Sequence, residues 1–284
     1  MRRSLRPAAL AVLLLLSACG ARGTADEAPE PSSAEPAPAA GLVLRVDQTG
    51  GFVMPSAAVG RLPVVAVYAD GQVITQGPVP AIHPGPALPN VQVQEIDQAQ
   101  VQDVVDRALA AGVAETGDLG SPPVADAFTT RFTLVTADDT YVREVYALWE
   151  TPEGGSAQGV TADQAAARDR LAELLNSLTD LGMTDTTAYE PSAVAVITAP
   201  WTDPGDGLDY PAMPWPGPEL PGAPLPGPPG FSCATVTGTE VAPLLEAAAG
   251  ATQLTPWTTP DGDRWSVTFR PLLPDESGCE DLTR

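Results

Sequence analysis

The chain contains no lysine, and all 14 of its cationic residues are arginine. Without lysine it forms no Schiff base with pyridoxal phosphate and has no Ser-x-x-Lys acylase motif. That excludes penicillin-binding and β-lactamase chemistry, and the P-loop lysine is missing as well. Histidine is nearly absent, with His83 alone. No histidine pair exists to hold zinc, and a Ser-His-Asp or Cys-His hydrolase would need His83 as its base. No Gly-x-Ser-x-Gly elbow supplies a nucleophile. His83 therefore reads as a loop residue making a local hydrogen bond. Cysteine is scarce, with three residues and no redox Cys-x-x-Cys spacing. No apolar run approaches the roughly 20 residues that span a bilayer. Nothing in the sequence calls for a cofactor.

The informative stretch is at the start. Arg2, Arg3 and Arg6 form a positive region, Ala8 to Leu16 is apolar, and Leu16-Ser17-Ala18-Cys19 follows. This looks like a bacterial lipobox. The resemblance implies that 1–18 is a signal peptide, and that Cys19 receives a diacylglycerol and becomes the first residue. Two acyl chains give stable attachment where one is marginal. The alternatives are an ordinary secretory cleavage near Ala18, with Cys19 incidental, or a retained span, for which the run is too short. The expected place is the outer face of the membrane.

The net charge is −22 over 284 residues, and 44% of the chain is hydrophobic. A packed core is therefore expected, under a surface that repels nucleic acid and anionic lipid. The acidity reads as plain solvation rather than as an acidic binding site. Residues 19–40 are small, acidic and proline-rich, and read as an extended tether.

Folded sequence begins near Gly41, and 41–200 reads as one α+β domain. Val64 to Tyr68 and Gln72 to Thr75 flank Asp70-Gly71, a hairpin signal. A helix follows Asp97, with Gln100 completing a capping box, and Ile96 and Val101 are spaced for a hydrophobic staple. Its stripe is Val101, Val104, Val105, Ala108 and Leu109, and Gly112 stops it. A second hairpin turns at Ala137-Asp138-Asp139. A second helix starts at Thr161 with Gln164, buries Leu171, Leu174, Leu175 and Leu178, and ends at Gly182. Ala193 to Thr198 is a short core strand.

Residues 201–230 hold ten of the 32 prolines. They form either a free linker or an excursion packed by Trp201, Tyr210 and Trp215. Residues 231–284 read strand, helix, hairpin, with Trp265, Val267 and Phe269 on one strand face. The helix-then-hairpin order of 97–149 recurs there. With Cys19 assigned to lipid, Cys233 and Cys279 remain to form one disulfide in an oxidising place, the alternative being two free thiols.

Acids suited to paired-carboxylate catalysis are Asp70, Asp97, Asp138, Asp139, Asp261 and Asp263, although most stand where turns and caps use aspartate. Asp203, Asp206 and Asp209 are calcium candidates on a glycine-rich loop. They lack EF-hand spacing and a closing glutamate, so the stretch reads first as a solvated turn. Trp201 and Trp215 are candidate ligand-binding aromatics, or they fasten the proline-rich stretch.

The stretches Arg61-Leu62-Pro63-Val64 through Asp70-Gly71, Pro84 to Pro89, and Phe269 to Pro274 resemble secreted lipoproteins of high-GC Gram-positive bacteria. That resemblance implies a location and no mechanism. The expected fold is α+β, with antiparallel hairpins, helices packed on one face, and a disulfide-closed C-terminal unit. The expected protein is a lipid-anchored, non-enzymatic envelope module. Its partners are the membrane, through the anchor, and an unknown extracytoplasmic protein or ligand, but no nucleic acid. The alternatives are a carboxylate-dependent hydrolase of cell-wall glycans and a purely structural envelope protein.

Overall fold

A computed structural model describes residues 41–150, 159–181, 185–226 and 229–283. The signal segment, Cys19, the 19–40 tether and Gly182 lie outside the described residues. The fold is α+β, with antiparallel hairpins and, among the described residues, four α-helices.

The first half runs β1 (Leu42–Gly50), α1 (Pro55–Val59), β2 (Val65–Tyr68), β3 (Gln72–Gln76) and β4 (Val91–Glu95). Then come α2 (Gln98–Ala110), β5 (Phe128–Val135), β6 (Thr140–Tyr146), α3 (Ala162–Leu181) and β7 (Thr187–Ala188). Their strands form one sheet in the order β6-β5-β1-β2-β3-β4-β7.

Local chemistry sets these elements. At the β2–β3 turn Gly71 has φ +96°, and a Cβ there would meet the Ile96 carbonyl oxygen at 2.2 Å, so only glycine fits. Asp97 caps α2 by accepting from the Gln100 N–H (2.8 Å), while the Gln100 side chain accepts from the Asp97 N–H (2.9 Å). Thr161 and Gln164 repeat this exchange at the start of α3. The two helices bury Val101, Val104, Ala108, Leu171, Leu174, Leu175 and Leu178 against Leu44, Val46, Val67, Phe132 and Leu134 on one sheet face.

The second half runs β8 (Ala193–Pro200), β9 (Met213–Pro214), β10 (Ala223–Pro224) and β11 (Ser232–Thr237), then α4 (Val241–Ala249), β12 (Trp257–Thr258) and β13 (Arg264–Pro271). The sheet order is β10-β11-β8-β13-β12-β9. Sheet membership therefore changes between β7 and β8, before Ala193, rather than at residue 200. The reason is burial: Ala193 to Thr198 is buried on both faces and needs a neighbour on each side, which β11 and β13 provide.

The proline-rich stretch gives both edge strands of this sheet, and each ends in a proline. Proline cannot donate to a further strand, so these edges are closed to pairing. Trp265, Val267 and Phe269 face α4, with Trp257 fully buried among them.

Residues after β13 join the two sheets. Leu273 packs on Ala66, Tyr68 and Ile74 of the first, and Leu272 on Ala193, Ala195 and Ile197 of the second. Cys279 forms a disulfide with Cys233 of β11, with Cα atoms 6.0 Å apart. Glu276 receives Arg270 through both carboxylate oxygens (2.8 and 3.0 Å) and Arg45 of β1 at 3.2 Å. Asp275 receives Arg45 at 3.0 Å and the Tyr68 hydroxyl at 2.7 Å. Burial works against the Arg45 charge, but Asp275 and Glu276 outweigh it and raise its pKa above the ordinary value. Burial raises the Tyr68 phenol strongly, and Asp275 raises it further. Burial also pushes Tyr189 up to about 12, and its hydroxyl donates to the Leu272 carbonyl.

Candidate functional site

Strand register fixes the two ends of the first sheet. Leu42 pairs with Tyr68, Gln72 with Glu95, and Val135 with Thr140. Gly41, the Asp70-Gly71 turn, the entry to α2 and the Asp138-Asp139 turn therefore share one end. At the other end Gly50 pairs with Phe128, Thr129 with Tyr146, and Gln76 with Val91. The β1–α1, β3–β4 and β6–α3 connections leave from there. The nine residues of β1 hold the two ends about 30 Å apart.

The ends differ in chemistry. The Gly41 end carries exposed Asp70, Asp97, Asp138 and Asp139. Three of these accept local N–H groups: Asp70 from Gln72, Asp97 from Gln100 and Asp139 from Thr140. The far end carries exposed Phe52, Val53, Met54, Val79, Ile82 and Trp149, with Phe52 91% and Met54 73% accessible. The other exposed large apolar residues among the described ones are Leu109, Val142 and Leu208. These six stand on three connections that leave the same end of the sheet, whereas a single exposed apolar residue is unremarkable.

Their positions are built. Gly50 and Gly51 take φ +68° and +77°, and a Cβ on Gly51 would lie 2.2 Å from the Phe128 ring. Only glycine lets the chain leave β1 across that ring, and Pro55 then starts α1. Arg61 fastens the base of this loop. It donates to the Gln48 carbonyl at 2.7 Å and lies over Phe128, 4.8 Å from the ring centroid. Arg168 fastens the Trp149 loop in the same way. Its buried guanidinium donates to the Tyr146 carbonyl at 2.7 Å and to that of Ala147, a non-glycine residue at φ +50°. Burial lowers the Arg168 pKa.

The sequence-derived candidates lie elsewhere. Trp201 is half-buried, donates to the Leu254 carbonyl at 3.2 Å and lies under Arg264. Trp215 donates to the Pro218 carbonyl and packs edge-on to Trp257 at 5.5 Å. It fastens the proline-rich stretch and also lines a cleft of about 300 Å³ with Met213, Pro214, Thr258 and Pro260. A second groove of about 330 Å³ runs between α2 and α3, flanked by Arg107 and Arg170. Asp261 and Asp263 are exposed before β13, in the other sheet from Asp70, Asp97, Asp138 and Asp139.

The calcium candidates are fully exposed. Asp203 accepts from the Gly205 N–H, and Asp206 accepts from the Leu208 N–H and the Tyr210 hydroxyl. Asp209 shows no such turn bond. Among the described residues, no group of three His, Cys, Asp or Glu side chains could hold a metal ion. No helix among them is long and apolar enough to cross a membrane.

The Tyr210 hydrogen bond lowers the Asp206 pKa, with the Leu208 N–H assisting, and the same bond pushes Tyr210 up to about 12. Asp206→Asn should bring Tyr210 back towards its ordinary value of about 10 in an ultraviolet phenolate titration. An unchanged midpoint would remove Asp206 as the cause.

Sequence reasoning missed the far end. Gly50-Gly51 followed by Phe52-Val53-Met54-Pro55 was the available signal, because an apolar triplet between strand-breaking residues has no element to be buried by.

Compared with known proteins, the chain matches no family model, no curated protein and no solved structure.

Proposed function

We propose that the chain is a lipid-anchored extracytoplasmic interaction module, attached through Cys19, whose apolar end holds a partner in the cell envelope. The supporting observation is the placement of Phe52, Val53, Met54, Val79, Ile82 and Trp149 at the sheet end opposite Gly41. The expected tether joins at the Gly41 end. Rigid loop bases favour this role, because ordered side chains lose little freedom on contact. The missing lysine and second histidine point the same way.

Two measurements test this. Cys19→Ala should shift the protein from membranes to the medium, and unchanged attachment overturns the anchor. A photo-crosslinking residue at Phe52 should give adducts on whole cells that the same residue at Val142, exposed on β6, does not. Equal adducts at both positions overturn the role of the apolar end.

A further inference from the structure

We propose that the apolar end receives a protein surface whose apolar centre is bordered by arginine or lysine. This rests on the interaction reading above and names the chemistry of the partner.

The extent of the end fits a protein. From β6, which leads to Trp149, to β3, which leads to Val79, are four strand spacings, or about 19 Å. That breadth is about two thirds of the side of a standard protein interface, which covers about 800 Å² per partner. The apolar residues come from three separate loops and stand outward, which suits another surface better than an enclosed metabolite.

The border selects the partner. Asp126 and Glu150 are exposed beside the Trp149 loop, in segments joined by the hydrogen bond from the Ala147 N–H to the Phe128 carbonyl. Asp118 stands in the α2–β5 connection, tied to Gln164 at the start of α3. Arg61, in the α1–β2 connection, is committed to the Gln48 carbonyl and the Phe128 ring. The end is therefore an apolar centre within a carboxylate border, on a chain of net charge −22. A second copy would bring the same carboxylates against it, and an anionic bilayer would repel it. A basic-bordered apolar patch complements both parts.

The test uses the full chain in washed membranes, with the photo-crosslinking residue at Phe52. Raising sodium chloride from about 0.05 M to about 0.5 M shortens electrostatic range from about 14 Å to about 4 Å. Adduct yield should fall about threefold or more. Asp126→Asn with Glu150→Gln should give a similar fall at low salt. Asparagine keeps the left-handed backbone that Asp126 holds at φ +56°, so an unchanged melting temperature separates charge loss from misfolding. Mass spectrometry of the adduct should show a partner peptide next to arginine or lysine. A yield indifferent to salt, an adduct on lipid, or an adduct on a second copy overturns this inference. A Phe52 adduct no stronger than that at Val142 overturns the interaction reading beneath it.

Discussion

Glu276→Gln is expected to lower stability by on the order of 3 kcal/mol or more, because it removes one charge from a buried cluster that needs it. The Glu276 carboxylate is 4% exposed and Arg270 3%, and Arg45 reaches the same carboxylate from the other sheet. Glutamine keeps the size of the side chain and some of the hydrogen bonding. It leaves the Arg270 guanidinium facing the Arg61 carbonyl without its ion-pair partner, Asp47 being the acid still near it. Arg45 loses one of the two acids it bonds but keeps Asp275, with Asp47 also near it, so the larger penalty falls on Arg270. The backbone N–H of Leu273, now bonded to Glu276 Oε2 at 2.8 Å, loses a charged acceptor. Urea unfolding measures the effect directly. Arg270→Met with Glu276→Leu separates charge from shape. Replacing both partners should cost less than Glu276→Gln alone, because no buried guanidinium is left unpaired. If the double replacement cost more, packing rather than charge would hold the sheets together.

What the sequence made legible here is local. The Asp70-Gly71 turn, both capping boxes and the leucine stripe of α3 each lie within a few residues, and their chemistry forces one conformation. The alternation from Trp265 to Phe269 likewise exposes one buried face of β13. The misses are long-range. Arg45 and Glu276 are separated by 231 positions, and nothing near either announces the other. The prolines after residue 200 supply the edge strands of the sheet that β8 centres, a pairing that no local signal announces. Phe52, Ile82 and Trp149 lie far apart in the sequence. Only strand register, which fixes which turns share an end, puts them together. The acids divide along the same line. Asp70, Asp97 and Asp139 do the turn and cap work expected of aspartate, while Asp126 and Glu150 border the apolar end.

Reducing the Cys233–Cys279 disulfide, or replacing both cysteines with alanine, is expected to be the most damaging single lesion. The bridge closes a separation of 46 residues. The chain-entropy treatment gives about 4 kcal/mol for a loop of that length. For a folded region of this size that corresponds to a fall in melting temperature on the order of 10 °C. The bond also holds the segment that carries Leu272, Leu273, Asp275 and Glu276, so its loss should loosen the junction between the sheets. The coupling can be measured. Removing the disulfide and Glu276 together should cost less than the sum of the separate losses, because one freed segment forfeits both contributions. Calorimetry of the four proteins completes the cycle. Full additivity would mean that the bridge acts only by shrinking the unfolded ensemble, with no part in holding Glu276 against Arg45 and Arg270. A melting temperature unmoved by reduction would show that the packing of Leu272 and Leu273 alone secures the C-terminal segment.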